Sequence, residues 1–119
     1  MEIATEMSRQ IDCYLDLANS EIKVTAANMA NIDTPGYKTL GFDFEAEMRD
    51  ALSDGGSGRP ARIPRIRAVD GLIARPDGNN VSMDREGLNM AEAQLKFRVG
   101  VALLRVENQT VMDAIHADK

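Results

Sequence analysis

Two long segments of the chain carry apolar residues at helical spacing. In the first, apolar side chains recur every three or four residues from the N-terminus onward, and neither Gly nor Pro interrupts the pattern before Pro35. This spacing is close to that of a coiled-coil seam, in which one side of a helix packs against another helix. The pattern predicts an amphipathic helix from about residue 3 to residue 32. Its positions are Ile3, Met7, Ile11, Tyr14, Ala18, Ile22, Thr25, Met29 and Ile32.

The last segment, from about Asp84 to Ala117, has two apolar stripes side by side. The first stripe consists of Phe97, Val101, Leu104, Asn108, Val111 and Ile115. The second consists of Leu88, Ala91, Leu95, Val99, Ala102 and Val106. A helix with two apolar stripes needs two partners, and the first helix can cover only one of them. The predicted helix-packing interface is Ile11, Ile22, Met29, Leu95, Phe97, Val101, Leu104, Val111 and Ile115.

Two local features modify the prediction for this second helix. Ser82 or Asp84 can cap its start, because a side-chain oxygen there accepts a hydrogen bond from a backbone N–H that has no partner within the helix. Gly87 and Gly100 lie inside the predicted helix, and each costs up to about 1 kcal/mol of helix stability relative to Ala.

The segment between the two predicted helices has the composition of loops. Residues 53–60 form a Gly/Ser linker by composition. Residues 76–80 indicate a turn, since Asp and Asn tolerate left-handed backbone, and residues 43–52 indicate a short helix. Residues 61–75 could hold a weak strand pair, but prolines at positions 60, 64 and 76 argue against a regular sheet.

These patterns together predict a mainly α-helical fold. Long N- and C-terminal helices pack as an antiparallel coiled-coil-like pair, and the region between them is irregular and partly disordered. We divide the chain into an N-terminal amphipathic helix that ends in a Thr-Pro-Gly turn (1–36), a middle region with the Gly/Ser linker (37–80) and a C-terminal amphipathic helix (81–119). Only 4% of the residues are aromatic and none is Trp, so a thick globular core is not expected.

The charge distribution argues against a nucleic-acid partner. The formal net charge is −5, and no basic stripe of the kind that neutralises phosphates runs along either helix. Five arginines do cluster in the middle of the chain, along a stretch that contains Pro and Gly, and we interpret them as part of a solvated loop. They are Arg59, Arg62, Arg65, Arg67 and Arg75.

No combination of residues indicates catalysis, a metal site or a cofactor. Cys13 is the only cysteine, which excludes an internal disulfide and a cysteine-based zinc site. His116 is the only histidine and lies near the end of the last helix, so no Ser, Asp or Glu has a base at hand to form a triad. The Gly-Gly-Ser-Gly run lacks the Gly-Lys-Ser/Thr ending of a phosphate loop. We therefore expect neither an enzyme nor a small-molecule substrate.

The first helix ends in the sequence Ala-Asn-Met-Ala-Asn-Ile-Asp-Thr-Pro-Gly-Tyr-Lys, residues 27–38. Pro35 disfavours helical geometry at Thr34, and Pro35-Gly36 fits the two central positions of a type II turn, where Gly36 supplies the positive φ. Asn28 and Asn31 lie three residues apart, where their amides can bind the last carbonyls of the helix or the backbone of a partner. Each residue alone has an ordinary explanation as helix-end or turn chemistry.

The whole string resembles the signature of the flagellar basal-body rod and hook protein family. That pattern is Ala-Asn-aliphatic-Ala-Asn, two free positions and Thr-Pro-Gly-aromatic. Residues 37–44, 78–86 and 91–97 are similar in turn to segments of the proximal rod proteins within the family, with Ala93 in place of the usual Asn and Phe97 in place of the usual Tyr. The matching motif and turn residues are Ala27, Asn28, Met29, Ala30, Asn31, Thr34, Pro35, Gly36 and Tyr37.

The resemblance implies a structural subunit of the proximal rod that polymerises through its terminal helices. Its partners would be other copies of itself, other rod and basal-body proteins, and the flagellar export apparatus. It would belong to the periplasm-spanning rod, and export through that apparatus fits the acidic N-terminus, which lacks the apolar core of a cleaved signal peptide. The alternatives are another rod or hook subunit of the same family, and a helical export adaptor or chaperone, which does not need the motif.

Overall fold

A computed structural model of the chain describes residues 5–53 and 63–117. Its elements are three helices, α1 (Glu6–Ala30), α2 (Phe44–Ser53) and α3 (Met83–His116), and two short strands, β1 (Leu40–Gly41) and β2 (Arg67–Ala68). All of the predicted Gly/Ser linker except Ser53 lies outside the described residues. The described part is elongated, with extents of 69 × 25 × 20 Å.

Helices α1 and α3 run antiparallel along most of their length. Thr5 at the start of α1 donates a hydrogen bond to Glu107, and Lys96 forms an ion pair with Glu21 at 3.0 Å. Near the end of α1, Asn28 donates to a carboxylate at the start of α3. Residue numbers fall along α3 as they rise along α1, so the predicted antiparallel pair is confirmed. The last turns of α3 extend past Thr5, the first described residue.

Both long helices begin at a capping side chain. The Thr5 hydroxyl accepts a hydrogen bond from the backbone N–H of Ser8 at 3.0 Å, and Ser82 does the same for the N–H of Arg85 at 3.3 Å. Thr5 has extended backbone, with φ −78° and ψ 161°, so α1 begins later than the predicted residue 3. Of the two candidate caps for α3, Ser82 is the one used.

Small residues form the centre of the seam between α1 and α3. Ala18 and Ala93 are completely buried, and Gly100 is buried opposite two side chains of α1. A Cβ atom at Gly100 would lie 2.6 Å from Leu15 Cδ2 and 3.1 Å from Tyr14 Cδ1, well inside van der Waals contact. The absence of a side chain at this position therefore lets the two helices approach closely, at the cost in helix propensity noted above.

The middle region is less structured than the terminal helices, but it is fastened to them. Strands β1 and β2 pair antiparallel, with Leu40 opposite Ala68, so one strand lies outside the 61–75 segment that was expected to hold both. Glu47 of α2 is buried and accepts hydrogen bonds from the backbone N–H and the Nε of Arg65, at 3.1 and 2.8 Å. At least one arginine of the predicted solvated loop thus holds the returning chain against α2.

Aromatic side chains connect α2 to the helix pair. The ring of Phe44 meets that of Tyr14 edge to face, with 5.5 Å between centroids. The ammonium of Lys96 lies 4.1 Å from the centre of the Phe44 ring, which is within the range of a cation–π contact. One residue of α2 therefore contacts side chains from both long helices.

Candidate functional site

The centre of the motif is Asn28, which is 1% exposed and uses its whole hydrogen-bonding capacity. Its Oδ1 accepts from the Tyr37 hydroxyl at 3.1 Å and from the backbone N–H of Leu40 at 3.0 Å. Its Nδ2 donates to the backbone carbonyl of Leu40 at 2.8 Å and to Glu86 at 3.1 Å. Asn28 thus bonds both backbone groups of Leu40 in β1, as a neighbouring strand would, and its bond to Glu86 links α1 to α3.

Glu86 is a buried carboxylate at the start of α3, 1% exposed. One carboxylate oxygen accepts from Asn28, and the other accepts from Arg85 Nη1 at 2.9 Å. A buried charge without partners is strongly unfavourable, so these two donors make its position tolerable. The contact between Asn28 and Glu86 determines how the end of α1 is aligned with the start of α3.

The chain leaves α1 through the turn that the sequence predicts. Gly36 has a φ of +76°, and the backbone N–H of Tyr37 donates to the carbonyl of Thr34 at 3.2 Å. Asn31 donates to the carbonyl of Ala27 at 2.8 Å and accepts from the Thr34 hydroxyl at 3.0 Å. The side chains of the motif therefore satisfy helix-end groups and hold the turn closed.

Asn79 completes the end of α1 from the other side, and its importance was missed in the sequence. It is 0% exposed, and its Nδ2 lies 2.8–3.0 Å from three backbone carbonyls at the end of α1, those of Asn31, Ile32 and Thr34. Arg75 also donates to the Ile32 carbonyl. The last turn of α1 contains no basic residue, and that absence was the available signal, because the final carbonyls of a helix need donors from elsewhere.

The side chains of two motif residues point away from this network. The alanine side chains at positions 27 and 30 are exposed on the outer side of α1, whereas Asn28 and Asn31 face the network. Pro35 and Gly36 are exposed as well, and Tyr37 is half-buried. The structure thus brings the polar and aromatic motif residues together and leaves the alanines facing outward.

The second apolar stripe of α3 is uncovered. All six of its residues are exposed, and three of the large side chains are 62–64% exposed, namely Leu88, Leu95 and Val106. They lie on the side of α3 opposite Ala93 and Gly100, which face α1. We call this surface, made by Leu88, Ala91, Leu95, Val99, Ala102 and Val106, the outer stripe.

The residues of the predicted packing interface fall into three groups. Ile11 is buried. Those at half-buried positions are Ile22, Met29, Val101, Leu104 and Val111. Leu95, Phe97 and Ile115 are 63, 38 and 47% exposed. The single chain therefore does not bury these three side chains.

Within residues 5–53 and 63–117, no three His, Cys, Asp or Glu side chains converge in a way that could hold a metal ion. In the same part of the chain, no helix combines the length and the apolar character that crossing a membrane requires. The notable surfaces in the described part are thus the polar network around the turn and the outer stripe.

Comparison with known proteins gives a family. The model of the flagella basal body rod protein family matches residues 15–38, which hold most of α1 and the turn. The flagellar basal body rod protein FlgB of Salmonella typhimurium is 31% identical, over 85% of this chain and 86% of its own length. The chain belongs to the FlgB family of rod proteins. FlgB of Proteus mirabilis strain HI4320 is 30% identical over 82% and 85%, and FlgB of Escherichia coli strain K12 is 25% identical over 87% and 88%.

Membership of the FlgB family confirms the resemblance that the motif carries. The chain is a structural subunit of the flagellar basal-body rod, and its location is the flagellar basal body. The alignments with FlgB proteins extend over most of the chain, far beyond the motif. The network and the outer stripe are accordingly features of a subunit whose working form is an assembly.

Proposed function

We propose that this FlgB-family subunit polymerises into the rod through its terminal helices, by contact with copies of itself and with other rod and basal-body proteins. The observation that carries the proposal is the outer stripe. Six residues at helical spacing, four of them Leu or Val, are all exposed on the side of α3 opposite α1. A continuous apolar surface of this kind on a soluble domain marks a contact with another molecule.

The hydrophobic effect would stabilise an assembly contact that covers the outer stripe. Burying a Leu or Val side chain contributes roughly 1.5–3 kcal/mol when it is fully transferred from water, and somewhat less when it is already half covered. Leu88, Leu95, Val99 and Val106 together therefore offer several kcal/mol to a neighbour that covers them. The free subunit forgoes that stabilisation.

The motif and turn residues have a supporting role in this proposal. They end α1, and their polar and aromatic side chains hold the network at one end of the helix pair. These residues are Ala27, Asn28, Ala30, Asn31, Thr34, Pro35, Gly36 and Tyr37. That network aligns α1 with α3, so both helices present their outer surfaces in one defined register. We propose a purely structural role for them, with no catalysis and no small-molecule substrate.

We further propose that the subunit reaches the periplasm-spanning part of the rod through the flagellar export apparatus, without cleavage of a signal peptide. Membership of the rod family supports this route. Mass spectrometry of the protein in purified basal bodies tests it, because retention of the N-terminal residues is expected. Loss of an N-terminal segment would contradict it.

Replacing Leu95 with Asp tests the role of the outer stripe. Because Leu95 is 63% exposed, the free energy of unfolding of the variant subunit should stay within about 0.5 kcal/mol of the wild-type value. It should be absent from basal bodies, and the cells should lose motility, since a buried unpaired carboxylate is costly. Gln94→Asp is the matched control, because it adds the same charge one residue away, off the stripe, at another exposed position.

Three outcomes that would contradict this expectation are distinguishable. Normal incorporation of Leu95→Asp would remove the outer stripe from the assembly contact. A large loss of thermal stability in the free variant would instead show that Leu95 belongs to the core of the single subunit. Impaired incorporation of both variants would indicate that added negative charge on α3 is sufficient to block assembly.

A further inference from the structure

We propose that the outer stripe of one copy is covered by the outward-facing side of α1 in a second copy of the same chain. This inference rests on the proposed function and names the partner surface. We call that side of α1 the outer α1 face; it is made by Asp12, Asp16, Asn19, Lys23, Ala27 and Ala30, all of them exposed. Copies then lie side by side at about the same height, each α3 next to the α1 of its neighbour.

The two surfaces cannot meet within one chain. Residues such as Ala18 and Ala93 occupy the seam between α1 and α3, and the outer α1 face and the outer stripe point away from that seam on opposite sides. Contact between them joins two copies through unlike surfaces. Repetition of such a heterologous contact generates a ring or a helical array rather than a closed two-fold dimer.

The charges on the outer α1 face and those that flank the outer stripe are complementary in order. Along α1 the negative Asp16 comes before the positive Lys23. Because α3 runs antiparallel, the same direction passes the positive Arg98 before the negative Glu92. The three cross-helix contacts of the single chain set the levels: Thr5 with Glu107, Glu21 with Lys96 and Asn28 with Glu86.

Interpolation between those levels pairs opposite charges. At ~1.5 Å per residue, Asp16 comes within about one helical turn of the level of Arg98, and Lys23 within about one turn of the level of Glu92. The helical period places Arg98 and Glu92 beside the outer stripe, one on each side of it. When neighbouring copies lie at equal height, Asp16 therefore attracts Arg98 of the next copy, and Lys23 attracts its Glu92.

The two acidic side chains of the outer α1 face form no ion pair within the described part of the single chain. Across residues 5–53 and 63–117, Asp12 and Asp16 form no ion pair, and neither does Arg98. Partial burial, followed by the charge of Asp12, raises the pKa of Asp16. Like charges four residues apart on a helix destabilise it slightly. A cation supplied by the neighbouring copy would remove that repulsion.

The contact also accounts for the two outward-facing alanines of the motif. Interpolation from the contact of Asn28 with Glu86 places Leu88 of the neighbour level with Ala27 to within about one turn. Leu88 is 62% exposed and projects from the stripe. Small side chains at Ala27 and Ala30 let a large side chain from another helix approach the α1 backbone closely, as small residues do at helix–helix contacts generally.

Charge reversal tests the pairing in the complete protein. Asp16→Arg and Arg98→Asp alone should each lower incorporation into basal bodies roughly tenfold or more, because like charges facing each other across an interface are strongly unfavourable. The double variant should recover most of the wild-type incorporation, since every contact between copies then has the pair restored. Wild-type incorporation of both single variants, or no recovery in the double variant, would overturn the pairing.

Cross-linking tests the same contact by proximity instead of by charge. In a Cys13→Ser background, Asp16→Cys combined with Arg98→Cys should give a ladder of cross-linked copies in oxidised basal bodies. The control pairs Asp16→Cys with Asp113→Cys, which lies about 20 Å further along α3 and should give no ladder. Cross-linking of Leu95→Cys to itself would reveal pairing of two outer stripes and overturn the proposal.

The two proposals fail differently. If the outer stripe serves assembly but another protein covers it, Leu95→Asp is excluded from the rod while the Asp16 and Arg98 variants incorporate normally. If Leu95→Asp also incorporates normally, the outer stripe has no part in assembly and both proposals fall.

Discussion

One end of the helix pair buries polar side chains, and the other end exposes apolar ones. At the turn end, Asn28, Asn79 and Glu86 are at most 1% exposed, although their side chains are polar or charged. At the far end, Met112 and Ile115 of α3 are apolar and each 47% exposed. The usual arrangement, apolar inside and polar outside, is thus reversed at both ends.

The reversal shows which contacts the single chain completes and which it leaves to other molecules. At the turn end, every described buried side-chain polar atom has a hydrogen-bond partner. Hydrogen bonds are directional, so this network determines one alignment of α1 with α3. Apolar contacts are not directional, and the outer stripe depends on that alignment to present its residues as one surface. The network builds the subunit, and the apolar faces are available for assembly.

The largest effect is expected at Asn28. Asn28→Ala leaves the Tyr37 hydroxyl and both backbone groups of Leu40 without a partner and removes one donor from Glu86. Each of these partly buried groups left unsatisfied costs up to about 1–3 kcal/mol, so together we expect a loss of about 3 kcal/mol in the free energy of unfolding. Urea unfolding of the free subunit measures it.

Asn31→Ala is the control for that prediction. Asn31 bonds only to the carbonyl of Ala27 and the hydroxyl of Thr34, in an exposed setting where water can replace it. We expect a loss of about 0.5–1 kcal/mol. Equal losses at the two asparagines would show that the buried network does not hold the turn end together.

Two glycine substitutions in α3 test the close approach of α1 and α3 at Gly100. Gly100→Ala places a Cβ 2.6 Å from Leu15 Cδ2 and should lower stability by about 1–2 kcal/mol, even though Ala favours the helix. Gly87→Ala, on the same helix, meets no atom within 4 Å and should raise stability by up to about 1 kcal/mol. Thermal unfolding of the two variants should therefore shift in opposite directions. A shift upward in both would show that the close approach of the helices at Gly100 is unimportant.

The smallest effect is expected on the outer α1 face. The pKa of Asp16 is raised above 3.8 in the folded subunit, so its ionised form is disfavoured by folding. Below pH ~3.8 the carboxyl is protonated in both the folded and unfolded states and has no cost; the cost develops as the pH rises through the folded-state pKa. Asp16→Asn should therefore stabilise the free subunit by about 0.2–0.5 kcal/mol at neutral pH.

The pH dependence supplies the check on that small difference. Thermal unfolding of Asp16→Asn and wild type should coincide well below pH 3.8 and separate as the pH rises through the folded-state pKa of Asp16. A variant that is less stable than wild type at neutral pH would contradict the interpretation of Asp16 as an uncompensated charge.

Periodicity and turn chemistry determined much of this protein from the sequence alone. The three helices, a cap for α3 at Ser82 or Asp84 and the positive φ of Gly36 follow from interactions between residues close in the chain, which leave a local pattern. The second apolar stripe was also visible, and so was the conclusion that α1 cannot cover both. The nine-residue motif match sufficed to indicate the family.

Only the tertiary structure decided which surfaces meet. Gly100 looked like a cost to its helix until Leu15 and Tyr14 were placed against it, and Asn79 looked like a turn residue until the end of α1 was placed beside it. Strand β1 formed near Asn28 because an amide 12 residues earlier bonds both backbone groups of Leu40. Such contacts depend on how two distant segments are aligned in space, and a periodic pattern of apolar residues carries no record of that alignment.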